Sequence, residues 1–422
     1  MVENRAFSLA MILTLYMIQV AQMVFFCLIS SLRGSVAGGN ISGSQTLLYP
    51  IDAEKTCEEL AMLKPRILVT SAAGHTGTPL VRQLLAAGHP VRAFVRREDE
   101  RSEALRQAGA EIIVGDLFDL RDLRRAMQDV QRAYHCPPFA NNLLHNSALF
   151  AIAAQEARLE VVALLSGWNP HPLHPSVVTR EHWLTNQLYR WMPSVDVIHV
   201  NPGLFAFTYM LGLPAIKHFG LFMAPFGQGR NAPPSSEDIA LVLSKVLMDP
   251  AEHIGKSYRP TGPELLTPMD MAEIYTRILK RKVKYQDAPF ELFVKAALAQ
   301  GFPLMDISQV RYYAEELKNG AFETGAPTDH VELVTGKRPE SFEETARRYF
   351  QNPSLIHPKL SVGSKLQAMS FLFRMLLTRV PDLEGWERQH GHPLLQNPVL
   401  AHDSEEWLAN AQEQQLHLLD FS

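Results

Sequence analysis

Apolar residues along most of this chain alternate between two patterns: short unbroken runs, and longer stripes spaced by three and four. Runs near 66–70, 91–95, 111–114, 132–136, 160–166 and 196–201 have the length and the Val, Ile and Leu content of strands buried on both faces. Stripes near 78–87, 101–108, 120–128, 142–157 and 179–191 predict helices between them. This alternation implies an α/β fold with a doubly wound parallel sheet over residues 64–205. Residues 206–350 read as a smaller, mostly helical lid, with helices near 235–248, 268–280, 290–300, 306–319 and 341–350. Thr267 and Pro268 supply the cap and first-turn proline of one of them. Such a lid is expected to close a substrate cleft over the carboxyl ends of the strands.

Both ends of the chain depart from this rhythm. No charged residue occurs from Ala6 to Leu32, and about 20 apolar residues suffice to cross a bilayer. Residues 1–33 are therefore expected to form a transmembrane or signal-anchor helix, followed by a glycine-rich linker at 34–63. A cleaved signal peptide with Ser35-Val36-Ala37 at its site stays open, as does a start at Met62, which would make the protein cytoplasmic. Asn40-Ile41-Ser42 fits a glycosylation acceptor. The expected placement is membrane-anchored, with the folded part in the cytosol. The C-terminal extension, 351–422, carries an apolar stretch with a few basic residues from Ser364 to Val380. It is expected to cover the main fold, to mediate dimerisation or to lie on a membrane, with packing within the protein favoured over membrane contact and Trp386 and Trp407 pinning it down.

Composition narrows the function. A formal charge of −4 gives no electrostatic case for nucleic acid. Cys27, Cys57 and Cys136 are odd in number and far apart, so neither a disulfide framework nor a CxxC metal site is expected. His171 and His174 lie in a proline-rich loop without further ligands nearby, so no metal is expected there.

Candidate chemistry begins at residue 66. An apolar strand runs into Ser71-Ala72-Ala73-Gly74-His75-Thr76-Gly77, then a helix opened by Thr78-Pro79 and stopped by Gly88, then a second strand. Gly74 and Gly77 would let backbone approach a pyrophosphate and let the helix pack closely, with its amide end facing the phosphates. This is the nucleotide-binding unit of a Rossmann fold. Its second strand ends in Arg96-Arg97, where NAD-binding units carry an acid for the ribose 2′-hydroxyl. Arginine suits a 2′-phosphate, so NADP(H) is expected in preference to NAD(H), against the alternative of a solvated basic strand end.

Val69 to Gly77 resembles the nucleotide loop of the NmrA-like family, within the atypical short-chain dehydrogenase/reductases. The resemblance extends over about residues 64–350, through Val114-Gly115-Asp116-Leu117, Asn201-Pro202-Gly203-Leu204-Phe205, Glu237 to Ala240, Gly255 to Tyr258 and Gly262 to Thr267. It implies cofactor contacts at Ser71, Gly74, His75, Thr76, Gly77, Asp116, Leu117 and Pro137, besides Arg96 and Arg97. Three positions depart from the family: Ser71 replaces its first glycine, His182 its lysine and Asn201 its arginine. A positive φ at residue 71 would strain a serine.

Short-chain reductases generally use Tyr-x-x-x-Lys as a proton relay, and no tyrosine of this chain has lysine four residues later. His182 is then the candidate proton donor, with a plain helix-face histidine as the alternative. Asn141, Trp168, Asn201 and Phe205 are candidate substrate contacts, although Trp168 would equally serve to pack the domain junction. Two functions remain. One is a reductase passing hydride to a small carbonyl or quinone-like acceptor. The other is a non-catalytic NADP(H) sensor acting through a regulatory protein partner.

Overall fold

In a computed structural model, residues 64–356 and 363–412 are described. Their first half builds β1 (Ile67–Val69), α1 (Gly77–Ala86), β2 (Val91–Val95), α2 (Glu100–Gln107), β3 (Glu111–Val114), α3 (Leu120–Ala126), β4 (Arg132–His135), α4 (Leu143–Ala157), β5 (Val161–Leu165), α5 (Val177–Arg190) and β6 (Asp196–Val200). A 3-10 turn at Ala206–Met210 leads into α6 (Leu213–Phe219), β7 (Leu221–Ala224), α7 (Ser236–Met248), β8 (Ser257–Tyr258), α8 (Pro268–Leu279), β9 (Lys284–Asp287), α9 (Phe290–Gln300), α10 (Leu304–Lys318), α11 (His330–Thr335) and α12 (Phe342–Gln351). The extension adds α13 (Lys365–Leu377), α14 (Leu383–Gln389) and α15 (Glu405–Gln412).

The main sheet has the order β3-β2-β1-β4-β5-β6-β8, parallel at every pairing. Strand order reverses between β1 and β4, and a ligand crevice is expected at the carboxyl ends of these two strands. β1 and β2 are buried along their whole length because helices cover both faces of the sheet. Leu80, Val81 and Leu84 of α1 join Ile239, Val242 and Val246 of α7 on one face. Leu123 of α3, Phe150 of α4 and Tyr189 of α5 lie on the other.

The chain does not change domains once and for all at residue 205. It returns to the sheet through α7 and β8 after starting a second layer at α6 and β7. That second layer, with its small parallel pair β7–β9, is built around Tyr209, Phe222, Tyr275, Leu317 and Phe342. Trp407 of the extension is buried in the same core. Thr267 and Asp270 cap α8 reciprocally, as Ser341 and Glu344 cap α12.

The extension is strapped down by buried polar groups. Glu316 of α10 accepts the Nε2–H of His174 at 3.0 Å and meets Nδ1 of His402 at 2.6 Å. It also takes the amides of Ala401 and His402. His174 Nδ1 accepts from the amide of Ser176 at 3.0 Å, which fixes the ring proton on Nε2. Arg180 reaches the Pro393 carbonyl, and Gln309 joins Ser176 to Glu387.

Among the described residues no helix is long and apolar enough to cross a membrane, which corrects the membrane-anchored placement expected above. The segment on which that placement rested, with its linker and the triplet at Asn40, lies outside the described residues. The stretch from Ser364 onward forms α13, one side of which rests against α9 and α6 while Leu366, Met369, Phe373, Leu376 and Leu377 stay exposed.

Candidate functional site

The glycine turn sits at the carboxyl end of β1. Gly74 N–H closes a turn on the Ser71 carbonyl at 2.8 Å, and the Ala72 amide bonds Phe94 of β2. A Cβ at Gly74 would lie 2.9 Å from the Ser71 oxygen. At Gly77 it would lie 2.4 Å from that oxygen and 2.8 Å from Ala72 Cα, so both positions admit only glycine without movement. α1 begins with no cap from the Thr76 side chain and no acidic residue in its first turn, which leaves its positive end suited to a phosphate. Thr76 Oγ1 instead pairs with the Tyr134 hydroxyl at 2.7 Å. This cradle fits a dinucleotide pyrophosphate.

Ser71 has φ of +49°, the strained conformation the missing glycine implies. Its hydroxyl donates to the Cys136 carbonyl at 3.1 Å, a bond from the glycine turn to the end of β4. Ser71→Ala should keep the strain and lose this bond, costing about 1–2 kcal/mol. Ser71→Gly relieves one while losing the other and should fall within about 0.5 kcal/mol of the parent. Chemical denaturation compares the two. Equal effects would show that the hydroxyl does not hold the turn.

Arg96 and Arg97 are exposed at the tip of β2, and Arg97 lies 3.7 Å from Asp99. Beside them is a residue the sequence did not single out. Arg101 grips Asp99 at 2.6 Å and reaches the Ala73 carbonyl of the glycine turn at 3.4 Å. The Arg101 guanidinium pulls the Asp99 carboxyl down to about 2. A basic residue in the first turn of α2 opposes the helix dipole, and that was the available signal. Asp116, also exposed, accepts from the Phe118 amide, while the Leu117 carbonyl is held by Asn146. His75 stacks on Phe207 with centroids 4.0 Å apart, bringing the segment after β6 against the nucleotide turn.

The candidate substrate residues separate. Trp168 is buried in the second core, donating to the Ala321 carbonyl at 2.8 Å beneath the Arg259 guanidinium, so it packs the junction. Asn201 is buried and donates to Ser257 at 2.7 Å, tying β6 to β8. Asn141 is exposed, Pro137 is buried, and Phe205 packs edge-on against Phe207. His182 is half-buried on α5, its Nδ1 has no hydrogen-bond partner, and burial pushes its pKa down to about 4. The ring is therefore neutral at pH 7 and supplies no imidazolium.

A cavity of about 310 Å³ lies instead beyond the strand ends, and sequence reasoning missed its walls. Phe139 from the loop after β4 and Leu204 from the loop after β6 bring it to the crevice. Phe222, Phe293 and Phe302 line its interior, and Phe371, Leu372 and Met375 of α13 complete it. Asp306 and Tyr313 of α10 are its notable polar members.

The sequence model of the NmrA-like family matches residues 63–162. The chain is 28% identical to an NAD(P)H azoreductase of Xenophilus azovorans over 286 residues, 67% of this chain and 97% of that protein. An NADPH-dependent quinone oxidoreductase of Escherichia coli, solved with NADPH, superposes with a TM-score of 0.58 at 21% identity, over 67% of this chain and 99% of that one. The negative transcriptional regulator NmrA, solved with NADP, gives 0.60 at 18% identity, over 71% and 99%. The sheet order and the glycine cradle agree with this match, so residues 63–162 are similar to the NmrA-like family and form a Rossmann-type unit.

Proposed function

We propose that the protein is an NADPH-dependent reductase whose acceptor is an apolar molecule bound in the cavity beside the strand ends. The observation that carries this reading is the cavity itself. A partly open space with almost wholly apolar walls, reaching the loops after β4 and β6, suits a second reactant rather than a coenzyme fragment. NADPH supplies a hydride when bound. The chain's own residues hold it through the α1 amide end and the glycine turn, with Arg96, Arg97 and Arg101 around the ribose phosphate. The apolar walls exclude water from the acceptor. Tyr313 accepts from Thr179 Oγ1 at 3.1 Å, which leaves its own hydroxyl proton for a cavity occupant. Burial raises the Tyr313 phenol, so it acts as a hydrogen-bond donor and not as an acid. Relatives named as an azoreductase and a quinone oxidoreductase support the class of reaction without fixing the acceptor.

Oxidation of NADPH by the full chain, followed with a panel of quinones and apolar carbonyls, tests the proposal. Tight NADPH binding without any oxidation would favour the second reading, a redox sensor that signals to a protein partner. The neutral state of His182 is the observation behind it, since that ring offers no proton at pH 7. Arg96→Ala should weaken NADPH binding by about 1.5–3 kcal/mol, the worth of hydrogen bonds to a charged group, and leave NADH unchanged. Equal loss for both coenzymes would remove the 2′-phosphate contact.

A further inference from the structure

Among the described residues that line the cavity, Asp306 alone carries a formal charge. It occupies the third position of α10. An acid at that position ordinarily turns back to bond the N-cap amide, as Asp270 does to Thr267 and Glu344 to Ser341 in this chain. The N-cap of α10 is Pro303, which has no N–H to offer. The Asp306 carboxyl consequently has no hydrogen-bond or ion-pair partner among the described residues. Desolvation by the surrounding apolar walls raises its pKa to about 6, and no neighbouring charge offsets that. The dipole of α10 accounts for the sign of the charge. It does not account for a carboxylate on the wall of an apolar cavity, because an exposed first-turn acid would serve the helix equally.

We propose that the Asp306 carboxylate selects acceptors that are apolar and carry a cationic nitrogen, seated with that nitrogen against Asp306 inside the cavity. This rests on the cavity being the acceptor site. A desolvated anion is relieved most by an opposite charge brought to it, and the apolar walls reward the rest of such a molecule. Phe293, Phe302 and Phe371 line the same cavity, and aromatic rings attract a cation held over them. A neutral quinone would instead bring its oxygen lone pairs toward an anion. The site therefore separates ligands that share shape and differ only in charge.

The test uses a matched pair of naphthalene probes, one bearing a trimethylammonium group and the other its neutral tert-butyl isostere. Their binding to the full chain is titrated by fluorescence with NADP+ present throughout. The wild type should prefer the cation by about tenfold or more, and Asp306→Asn should abolish the preference. NADP+ affinity should be the same in both proteins, which reports that the variant is folded. If the wild type binds the two probes equally, or the asparagine variant keeps the preference, the proposal is overturned. Selective cation binding without oxidation of NADPH by any apolar acceptor would overturn the reductase reading and uphold this site. Turnover of neutral acceptors without a charge preference would do the reverse.

Discussion

Gly77→Ala is expected to abolish coenzyme binding and to destabilise the fold by about 2–3 kcal/mol, the cost of forcing a methyl group into packed surroundings. The new Cβ would stand 2.4 Å from the Ser71 carbonyl oxygen and 2.8 Å from Ala72 Cα. Both are backbone atoms, so no side chain can rotate out of the way. The turn has little freedom to retreat either. Ser71 is already at positive φ, its hydroxyl is tied to the Cys136 carbonyl, and the Ala72 amide is tied to Phe94. Any relaxation moves the amides at the start of α1, which are the groups meant for the phosphates. NADPH titration and urea denaturation on the same preparation measure both effects. A variant that still binds NADPH with little loss would show that the cradle deforms cheaply. Gly74→Ala, with its contact at 2.9 Å, should be the milder of the two.

The central strands of the sheet were legible because they are short apolar runs sealed on both faces, as the full burial of β1 and β2 shows, whereas the edge strand β3 is partly exposed. The glycine turn was legible for a different reason. Close backbone approach leaves so few residue types that Gly74, Gly77 and even the strain at Ser71 can be read from identity alone. Side-chain direction at a strand end is not written in that way. Trp168 and Asn201 lie just beyond β5 and β6, yet one turns into the second core and the other toward β8. β9 escaped notice because Lys284-Tyr285-Gln286-Asp287 is polar and edge-exposed. The return of α7 and β8 to the first sheet could not be seen either, since periodicity gives an element and not its neighbour. The cavity is the extreme case. Its walls come from Phe139, Leu204, Asp306 and Phe371, which only the tertiary fold brings together.

Glu316→Ala should cost about 3–5 kcal/mol, the range for removing one partner of a buried charged network. Burial alone would raise this carboxyl, but hydrogen bonds from His174, His402 and the Ala401 amide outweigh it and hold the group below its usual range. Removing the carboxylate leaves those donors buried and unpaired. The same network makes the wild type sensitive to acid. Burial lowers the pKa of His174, so its contribution is complete above the ordinary imidazole value near 6.5 and is lost as pH falls below it. Glu316 follows as pH falls through the carboxylate range toward its own depressed value. Denaturation midpoints at pH 7.5 and pH 5 should differ in the wild type and differ more in the alanine variant, because Glu316 partly offsets the effect of burial on His174. Limited proteolysis should cut the variant within residues 380–412 first. Unchanged midpoints together with a protected extension would show that the strap is held by Trp407 and its neighbours instead.

The extension does more than hold itself in place. Because α13 contributes Phe371, Leu372 and Met375 to the cavity, the chamber is walled partly by residues far downstream of the coenzyme-binding half. Substitutions in that late stretch could resize or reshape the chamber without touching the dinucleotide cradle. In the proposed reductase, the late residues of α13 would shape the choice of acceptor from a part of the chain that lies outside the dinucleotide cradle.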